Sequence, residues 1–436
     1  MSGKIPYLKH DYKYDHILPF KEWKPFDNAQ GCTPVDGVQL CMEKSPPPLP
    51  GEQVKAPLPT APKPSAPPPG KKELTAPVPA MKATAEKAPK EEKKKQIKPF
   101  DLYDIPQAMR AEGFTVGAKL SQRWLDGRAY SAYVKNADGD DVEGRYDADM
   151  IDTDTVKLGW LRKFPDVEER YQELLKTLQT PKAIEMLKKK FRNNLLHDRR
   201  MFAGPFDTLA HCQNDYQTLH DQFQFQRSNV SMADTVIPFQ TYEDAYRYGS
   251  NLGMSDVTAS LANFAFYASV ARAYVKYEQF NRHNTPQGML HCVHSRIIVT
   301  HIYVYARDSY SFYDKGKASQ YLGHWNRTGL IILPDAALAS WGMKKIMDDK
   351  KRKQGGAWDH QIELENRTMP PFPVDVIGKL LDKDVYYPIR NRDYREWREK
   401  KGRGGDFLIY SDLQLLKLNS PIELDMETEC RKFDER

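Results

Sequence analysis

The sequence predicts an α+β fold, in which N-terminal helices precede an antiparallel β-sheet domain and a disordered proline-rich linker comes before both. Three observations support this fold class. Apolar residues recur at helical spacing between residues 105 and 196. From Leu290 to Asn326, β-branched and aromatic residues dominate, and few of them favour a helix. Because helices come first and strands later, an antiparallel sheet is expected.

The linker is Ser45–Lys98, which holds 14 of the 31 prolines and almost no large apolar residues. It cannot bury enough surface to offset the entropy of ordering, so it is predicted to be disordered. Its eleven lysines and five glutamates account for the whole net charge of +6. The remaining chain is electrically balanced, so a nucleic-acid partner is not predicted. Four parts follow: a docking segment (1–44), the linker (45–98), a helical subdomain (99–204) and a mainly antiparallel sheet domain with short helices (205–436).

Three apolar patterns predict the helices of the helical subdomain. The first begins at Ile105-Pro106 and continues to Leu125, with Gly113 as a weak position. The second has its apolar face between Val167 and Leu178. The third begins at Thr180-Pro181 and reaches Leu196. Each pattern places apolar side chains on one face, as expected for helices that cover a sheet.

Alternating and β-branched runs predict the strands. Gln222–Arg227 alternates strictly, and Val257–Lys276 favours a strand because its phenylalanines share one parity. Leu290–Arg307 is predicted to be the central strand, with a bend at Arg307-Asp308-Ser309 and Ser319–Trp325 returning as its hairpin partner. The later predictions are strands at Leu330–Leu333, Val385–Pro388 and Phe407–Leu418, and helices at Asp335–Lys353 and Asn391–Lys400.

Cysteine spacing and hydropathy restrict the compartment. The five cysteines are irregularly spaced without a CxxC pair, so neither a zinc ribbon nor a disulfide framework is predicted. Reduced thiols are expected, although Cys32 and Cys41 could pair in an oxidising compartment. The N-terminus lacks the apolar core of a signal peptide, and the most apolar window contains Asn263 and Arg272, so no transmembrane segment is predicted. The protein is therefore expected in the cytoplasm of the producing cell, with any secretion independent of a signal peptide.

The candidate catalytic residues lie at the predicted bend. Asp308 could act as a general base beside Tyr310 or His324, as in a hydrolase pocket. The alternative is that Asp308 bonds local backbone in a turn. A binding site would use neighbouring charged and aromatic residues, namely Arg307, Tyr321, Trp325, Asp393 and Asp406. Asp393 and Asp406 also fit structural roles, as a helix cap and as a partner of a glycine-rich turn.

No metal site and no cofactor are predicted. The densest histidine cluster is His291, His294 and His301. Strand alternation does not place three of these ligands on one face, as a metal site requires. They are interpreted as ordinary strand histidines.

Four stretches carry a resemblance to a known family: IPQAMRAEGFTVGAKLSQRW (105–124), YARDSYSF (305–312), QYLGHWN (320–326) and NRDYREWREKKGRGGDFLIYSD (391–412). On these motifs the chain resembles an uncharacterised bacterial family, domain of unknown function 6402. Similar proteins tend to be encoded beside spike and tip components of type VI secretion systems. The resemblance implies an effector, cargo or accessory protein of that machine, and it implies no chemistry.

Three function hypotheses follow. The first is a type VI secretion-associated effector, cargo or accessory protein whose segment 1–44 docks on the spike or an adaptor. The second is a hydrolytic toxin using Asp308 and His324, which adds an immunity protein as a partner. The third is a small-ligand or metal-chelate binding module. For the docking segment, the rival interpretation is that Tyr14, Trp23 and Phe26 pack back on the domain as a strap.

Overall fold

The computed structural model describes residues 8–9, 40–51, 100–138, 140–196, 203–237, 253–314, 319–332 and 385–432. The predicted helix Asp335–Lys353 and most of the predicted linker lie outside these residues. The helices are α1 (Ile105–Ala111), α2 (Thr115–Asp126), α3 (Leu158–Leu161), α4 (Pro165–Lys176), α5 (Pro181–Phe191), α6 (Thr208–His211), α7 (Tyr216–Phe223), α8 (Met232–Thr235), α9 (Asp256–Leu261) and α10 (Asn391–Lys401).

The strands form three sheets. They are β1 (Leu8–Lys9), β2 (Tyr133–Lys135), β3 (Asp141–Glu143), β4 (Ile151–Asp152), β5 (Gly204–Asp207), β6 (Gln224–Val230), β7 (Phe264–Thr285), β8 (Gly288–Tyr310), β9 (Tyr321–Asn326), β10 (Gly329–Ile331), β11 (Val385–Arg390), β12 (Phe407–Tyr410), β13 (Gln414–Asp425) and β14 (Glu429–Lys432). The eight-stranded sheet follows the order β4-β12-β8-β7-β5, with β13 and β14 also on β8 and β6 also on β7. The order β1-β11-β9-β10 makes the second sheet, and β2 pairs with β3.

The predicted fold class is confirmed. Helices α1 to α5 precede every strand of the main sheet except the two-residue β4, and the strand pairs of this sheet are antiparallel except for β12 with β4. The helices pack their apolar faces on this sheet: the ring of Tyr171 in α4 meets Phe266 of β7 edge-on at 5.7 Å between centroids. One cluster of buried apolar side chains joins the helices to the sheet.

The predicted hairpin is wrong in its partner and in its bend. β8 pairs with β7, not with the stretch 319–325, which forms β9 in the second sheet. β7 follows β8 along almost its whole length, whereas the six residues of β9 pair with β10 and β11. Arg307 lies within the ladder, opposite Ala265 of β7 and Tyr410 of β12. Partners on both sides keep the strand extended through Asp308, where the sequence predicted a bend.

Local signals account for three smaller corrections. The first predicted helix is two helices, because Gly113 adopts a φ of +83° between α1 and α2. Within Val257–Lys276 the strand begins only at Phe264; before it lies α9, whose N-terminus the Ser255 side chain caps by accepting from the Thr258 amide at 3.1 Å. The predicted strand from Phe407 divides into β12 and β13. Glycine geometry thus ends a helix at Gly113, and a side-chain cap starts a helix where a strand was predicted.

Residues 40–51, called the strap below, are packed on the domain. The backbone N–H groups of Glu43 and Lys44 donate to Asp101 Oδ2 at 2.7 and 3.0 Å. Lys44 also forms an ion pair with the buried Asp104. Further along, the Arg403 guanidinium donates to the Pro47 carbonyl at 2.8 Å. The strap therefore extends seven residues into the stretch predicted to be linker, whose remainder lies outside the described residues.

A disulfide joins Cys292 to Cys430, with 4.1 Å between their Cα atoms. The expectation of reduced, unconnected cysteines is wrong for this pair. The two residues are 138 positions apart, and they meet because β14 pairs with β8 in a register that places Cys430 opposite Cys292. Spacing along the chain gives no sign of such a pairing. Cys32 lies outside the described residues.

Across the described ranges, the structure contains no helix that is both long and apolar enough to span a membrane.

Candidate functional site

The C-terminal end of β8 carries the accessible part of the predicted site. Strand alternation sends the side chains of Arg307 and Ser309 to one face of the sheet and those of Asp308 and Tyr310 to the other. The first face is covered by α7 and by the loop after β3, and the second by α2. The two faces therefore offer different chemistry.

The first face holds a cluster that we call the Arg307 cleft: Arg307, Tyr410, Tyr267, Tyr305 and His220. Cross-strand pairing assembles it, since Tyr410 of β12 lies opposite Arg307 and Tyr267 of β7 lies opposite Tyr305. His220 comes from α7, which packs over these rings. Its ring meets Tyr267 edge-on at 4.7 Å between centroids.

His220 is neutral at physiological pH. Burial lowers its pKa to about 3, and the positive charges of Arg307 and Lys190 act in the same direction. Its Nδ1 lies 2.9 Å from the Tyr305 hydroxyl. Burial in turn raises the pKa of Tyr305 well above its ordinary value. The floor of the cleft is therefore uncharged, and Arg307 is the cation beside it.

Arg307 has few protein partners. Its Nε donates to the Tyr410 hydroxyl at 3.3 Å, and its guanidinium lies 6.0 Å from the centroid of the Tyr410 ring. Among the described residues no carboxylate lies within ion-pair distance of it. Burial lowers its pKa, but the interactions with Tyr410, Glu143 and Tyr267 together outweigh that effect, and the net pKa is above its ordinary value. The side chain is only partly buried, so its terminal N–H groups can reach a ligand.

A line of hydroxyl groups borders the cleft. Ser309 bonds the Tyr146 hydroxyl, which donates to Glu143 Oε1 at 2.9 Å. The Gln217 side chain fixes the backbone of Tyr146 by two hydrogen bonds, each of 2.9 Å, and so ties this loop to α7. Glu143 is exposed, and its charge contributes to the raised pKa of Arg307 without an ion pair forming.

Asp308 lies on the opposite face. Its side chain keeps partial contact with solvent, but surrounding protein desolvates the carboxyl and raises its pKa well above the ordinary value. The Ser309 backbone N–H and the charge of Arg307 oppose this rise without cancelling it. Tyr310 on the same face lies beside Ser121 of α2, and burial raises the pKa of its hydroxyl. Burial therefore makes the charged form of Asp308 less stable than it is in water.

Replacing Asp308 with asparagine is expected to stabilise the protein at neutral pH. With a folded-state pKa above the unfolded value, wild type is unaffected below pH 3.8 and loses stability as pH rises towards the folded pKa. Asparagine does not ionise, so Asp308→Asn should gain roughly 1–3 kcal/mol at pH 7, the scale for relieving an unfavourable buried polar group. Urea unfolding at pH 3 and pH 7 measures this. A variant less stable than wild type at pH 7 would mean that the carboxylate itself is stabilising.

The structure does not place His324 beside Asp308. His324, Tyr321 and Trp325 are on β9, in the second sheet. His324 is completely buried, and its Nδ1 bonds the Tyr321 hydroxyl. The Trp325 indole donates to the Leu322 carbonyl at 2.9 Å. The predicted catalytic group is thus divided between two sheets, and its histidine has no access to a substrate.

Asp393 and Asp406 have structural partners. Asp393 Oδ2 accepts from the Arg390 backbone N–H at 2.6 Å at the start of α10, and burial raises its pKa to about 6. Asp406 accepts from Trp124 Nε1 at 2.9 Å and pairs with Arg398. Burial raises the pKa of Asp406, while Arg398 opposes the rise. Both carboxyls hold α10 in place, and neither belongs to the Arg307 cleft.

Three of the four sequence motifs converge on Trp124. Its ring contacts Phe312 at 4.9 Å, Tyr394 at 5.2 Å and Trp397 at 6.0 Å between centroids. At Gly404, where φ is +96°, an added Cβ would lie 2.6 Å from the same ring, so only glycine fits. The motifs therefore specify the packing of α2, β8 and α10 against one another.

A family model matches residues 100–426. The chain belongs to the Family of unknown function (DUF6402). The match begins at Phe100, where the strap meets the domain, and it includes every residue of the Arg307 cleft. No curated protein and no solved structure matches the chain. The DUF6402 match establishes the family and leaves its biochemical role open to proposal.

Sequence reasoning selected Arg307 but missed Tyr267, Tyr410 and His220. The alternation of β7 and β12 indicates which tyrosines share a face, but only the register of three strands brings them to Arg307. A recess of about 450 Å³ lies by the strap, lined by Lys44, Ser45, Tyr103, Asp104, Gln107, Arg110 and Gln122. It contains none of the predicted site residues. We prefer the Arg307 cleft because it contains a residue that the sequence selected and because the Tyr410 hydroxyl and ring orient its cation.

Proposed function

We propose that this DUF6402 protein is a type VI secretion-associated cargo or accessory protein that acts by binding, in an oxidising compartment. The Cys292–Cys430 disulfide is the observation that supports export from the producing cell. Structural disulfides are rare in reducing cytosol and are typical of secreted and periplasmic proteins. The bond would close after the chain has left the producing cell. The resemblance of its motifs to proteins encoded beside spike components supports type VI secretion as the route.

Binding is favoured over hydrolysis by the separation of the candidate catalytic residues. A general base must lie within hydrogen-bond reach of the proton it abstracts. His324 is completely buried in a different sheet from Asp308, so the two cannot act on one substrate group. In the Arg307 cleft the partly exposed guanidinium offers terminal N–H donors, which suit recognition of a ligand. The hydrolytic toxin, with its immunity protein, is therefore the less supported hypothesis.

The N-terminal region would connect the domain to the secretion machine. The strap fixes residues 40–51 to the domain. A spike or adaptor protein would then be bound by the residues before Leu40. A segment anchored at the domain keeps its partner at high effective concentration, which favours a tethered cargo.

A secretion assay tests the proposal. We expect full-length protein in the culture supernatant of a strain with a functional type VI machine and none when its spike is deleted. Thiol labelling should show Cys292 and Cys430 reduced in the cytoplasm and joined in the exported pool. A chain without residues 1–39 keeps the strap and should remain inside the cell. Equal export with and without the machine would contradict the proposal.

Growth measurements distinguish binding from hydrolysis. We expect no growth defect when residues 40–436 are produced in the cytoplasm or directed to the periplasm. If growth is inhibited in either compartment, Asp308→Asn separates the alternatives. Loss of toxicity in a stable Asp308→Asn protein would establish the enzyme hypothesis against ours. Toxicity that Asp308→Asn retains but Arg307→Gln abolishes would agree with harmful binding at the cleft.

A further inference from the structure

We infer that the Arg307 cleft is a binding site for an oxyanion, a carboxylate or phosphate group that the guanidinium holds through its terminal N–H groups. Such a site would exist in the folded domain whether or not the protein is secreted. A guanidinium presents five donors in a planar fork that matches two oxygens of one anion. In Arg307 the protein uses Nε, at 3.3 Å from the Tyr410 hydroxyl.

The surroundings raise the strength of an interaction with Arg307. The side chain lies partly buried among the rings of Tyr410, Tyr267 and Tyr305, and the neutral His220 supplies no competing charge. Charge–charge attraction is larger in such a partly desolvated site than at the open surface. Because no carboxylate among the described residues pairs with Arg307, an anion that binds there gains this attraction without displacing an existing ion pair.

The orientation of Arg307 is fixed before a ligand arrives. The Tyr410 hydroxyl accepts from Nε, and the Tyr410 ring lies under the guanidinium at 6.0 Å. Tyr410 in turn is held in β12, directly opposite Arg307 in the ladder. Because the fork loses little freedom on binding, more of the interaction energy appears as affinity.

The negative charge of Glu143 should weaken anion binding at Arg307. It is the exposed carboxylate whose charge acts on Arg307, and it is bound by the Tyr146 hydroxyl at 2.9 Å. A ligand anion next to Arg307 would be repelled by Glu143. Neutralising Glu143 should therefore strengthen anion binding, whereas neutralising Arg307 should abolish it.

Binding is measured by calorimetry on the full chain with sodium benzoate and inorganic phosphate at constant ionic strength. We expect one of them to bind in the millimolar range and Arg307→Gln to weaken binding by about tenfold or more, as for loss of a bidentate charged contact. Arg307→Lys should also be weakened, because lysine lacks the fork. Arg296→Gln, at an exposed position of the same strand, is the matched control and should bind as wild type. Glu143→Gln should bind more tightly.

Chemical modification tests the unmutated chain, in case Arg307→Gln does not fold. The bound anion should protect Arg307 from phenylglyoxal, read by mass spectrometry of its peptide, while Arg296 remains reactive. Preference for benzoate identifies a carboxylate ligand, and preference for phosphate identifies a phosphate ligand. No binding of either anion, equal loss in Arg296→Gln, or no protection of Arg307 would each overturn the inference.

Discussion

Proline at Val299 is expected to unfold the protein. Val299 is completely buried in the middle of β8, paired with Ala273 of β7 on one side and Ile422 of β13 on the other. Proline removes the backbone donor and its ring does not fit a central strand. Since β8 carries β7, β12, β13 and β14, a break in its ladder affects every part of the main sheet. Circular dichroism and thermal melting should show no cooperative transition.

Val299→Ala is the matched control. It keeps the backbone hydrogen bonds and removes only two methyl groups from the core, so a loss of roughly 2 kcal/mol and a cooperative melt are expected. The comparison separates ladder bonding from side-chain packing at one position. If Val299→Pro melts like wild type, β8 is not the central strand and the order β4-β12-β8-β7-β5 is wrong.

Removal of residues 1–98 is expected to lower the melting temperature. The deletion takes away the strap, uncovers the buried Phe100 and Leu102, and breaks the bonds between the strap backbone and Asp101. The strap contacts stabilise the folded state, but ordering the strap costs conformational entropy that offsets most of this stabilisation. The deletion should therefore lower the free energy of unfolding by roughly 2 kcal/mol. For a domain of about 340 residues, whose unfolding entropy is correspondingly large, that corresponds to a decrease of roughly 3 °C. Scanning calorimetry of the truncated and full chains provides the measurement.

Deleting residues 1–39 alone is the control, because it leaves residues 40–51 in place and takes from the described structure only the two-residue edge strand β1. We expect that chain to melt close to the full-length protein. An equal decrease for both deletions would assign the stabilisation to residues before Leu40, and an unchanged melting temperature for both would mean that the strap contributes little. For the described residues of the N-terminal segment, the result also decides whether they pack on the domain or dock on a partner.

The recurrence of apolar residues was sufficient to predict the α+β class, the helices that contain Trp124, Tyr171 and Leu187, and the central position of β8. These are local signals, since a helix or strand with one buried face must repeat that face every 3.6 or two residues. Arg307 was selected for a different reason, as a charged neighbour of Asp308 at the predicted bend. Family motifs were also visible, since glycine and tryptophan at tightly packed positions leave a distinctive pattern.

Only the tertiary structure decided which residues meet. Strand register brings Tyr410 and Tyr267 to Arg307, places Cys430 opposite Cys292, and separates His324 from Asp308. The energy of strand pairing depends on the length of the partner and on the burial of both faces. The sequence of one strand determines neither of these properties. The strap follows the same rule: its contacts with Asp101 and Arg403 join segments far apart in the chain. Local patterns therefore determined the elements, and long-range packing determined the cleft.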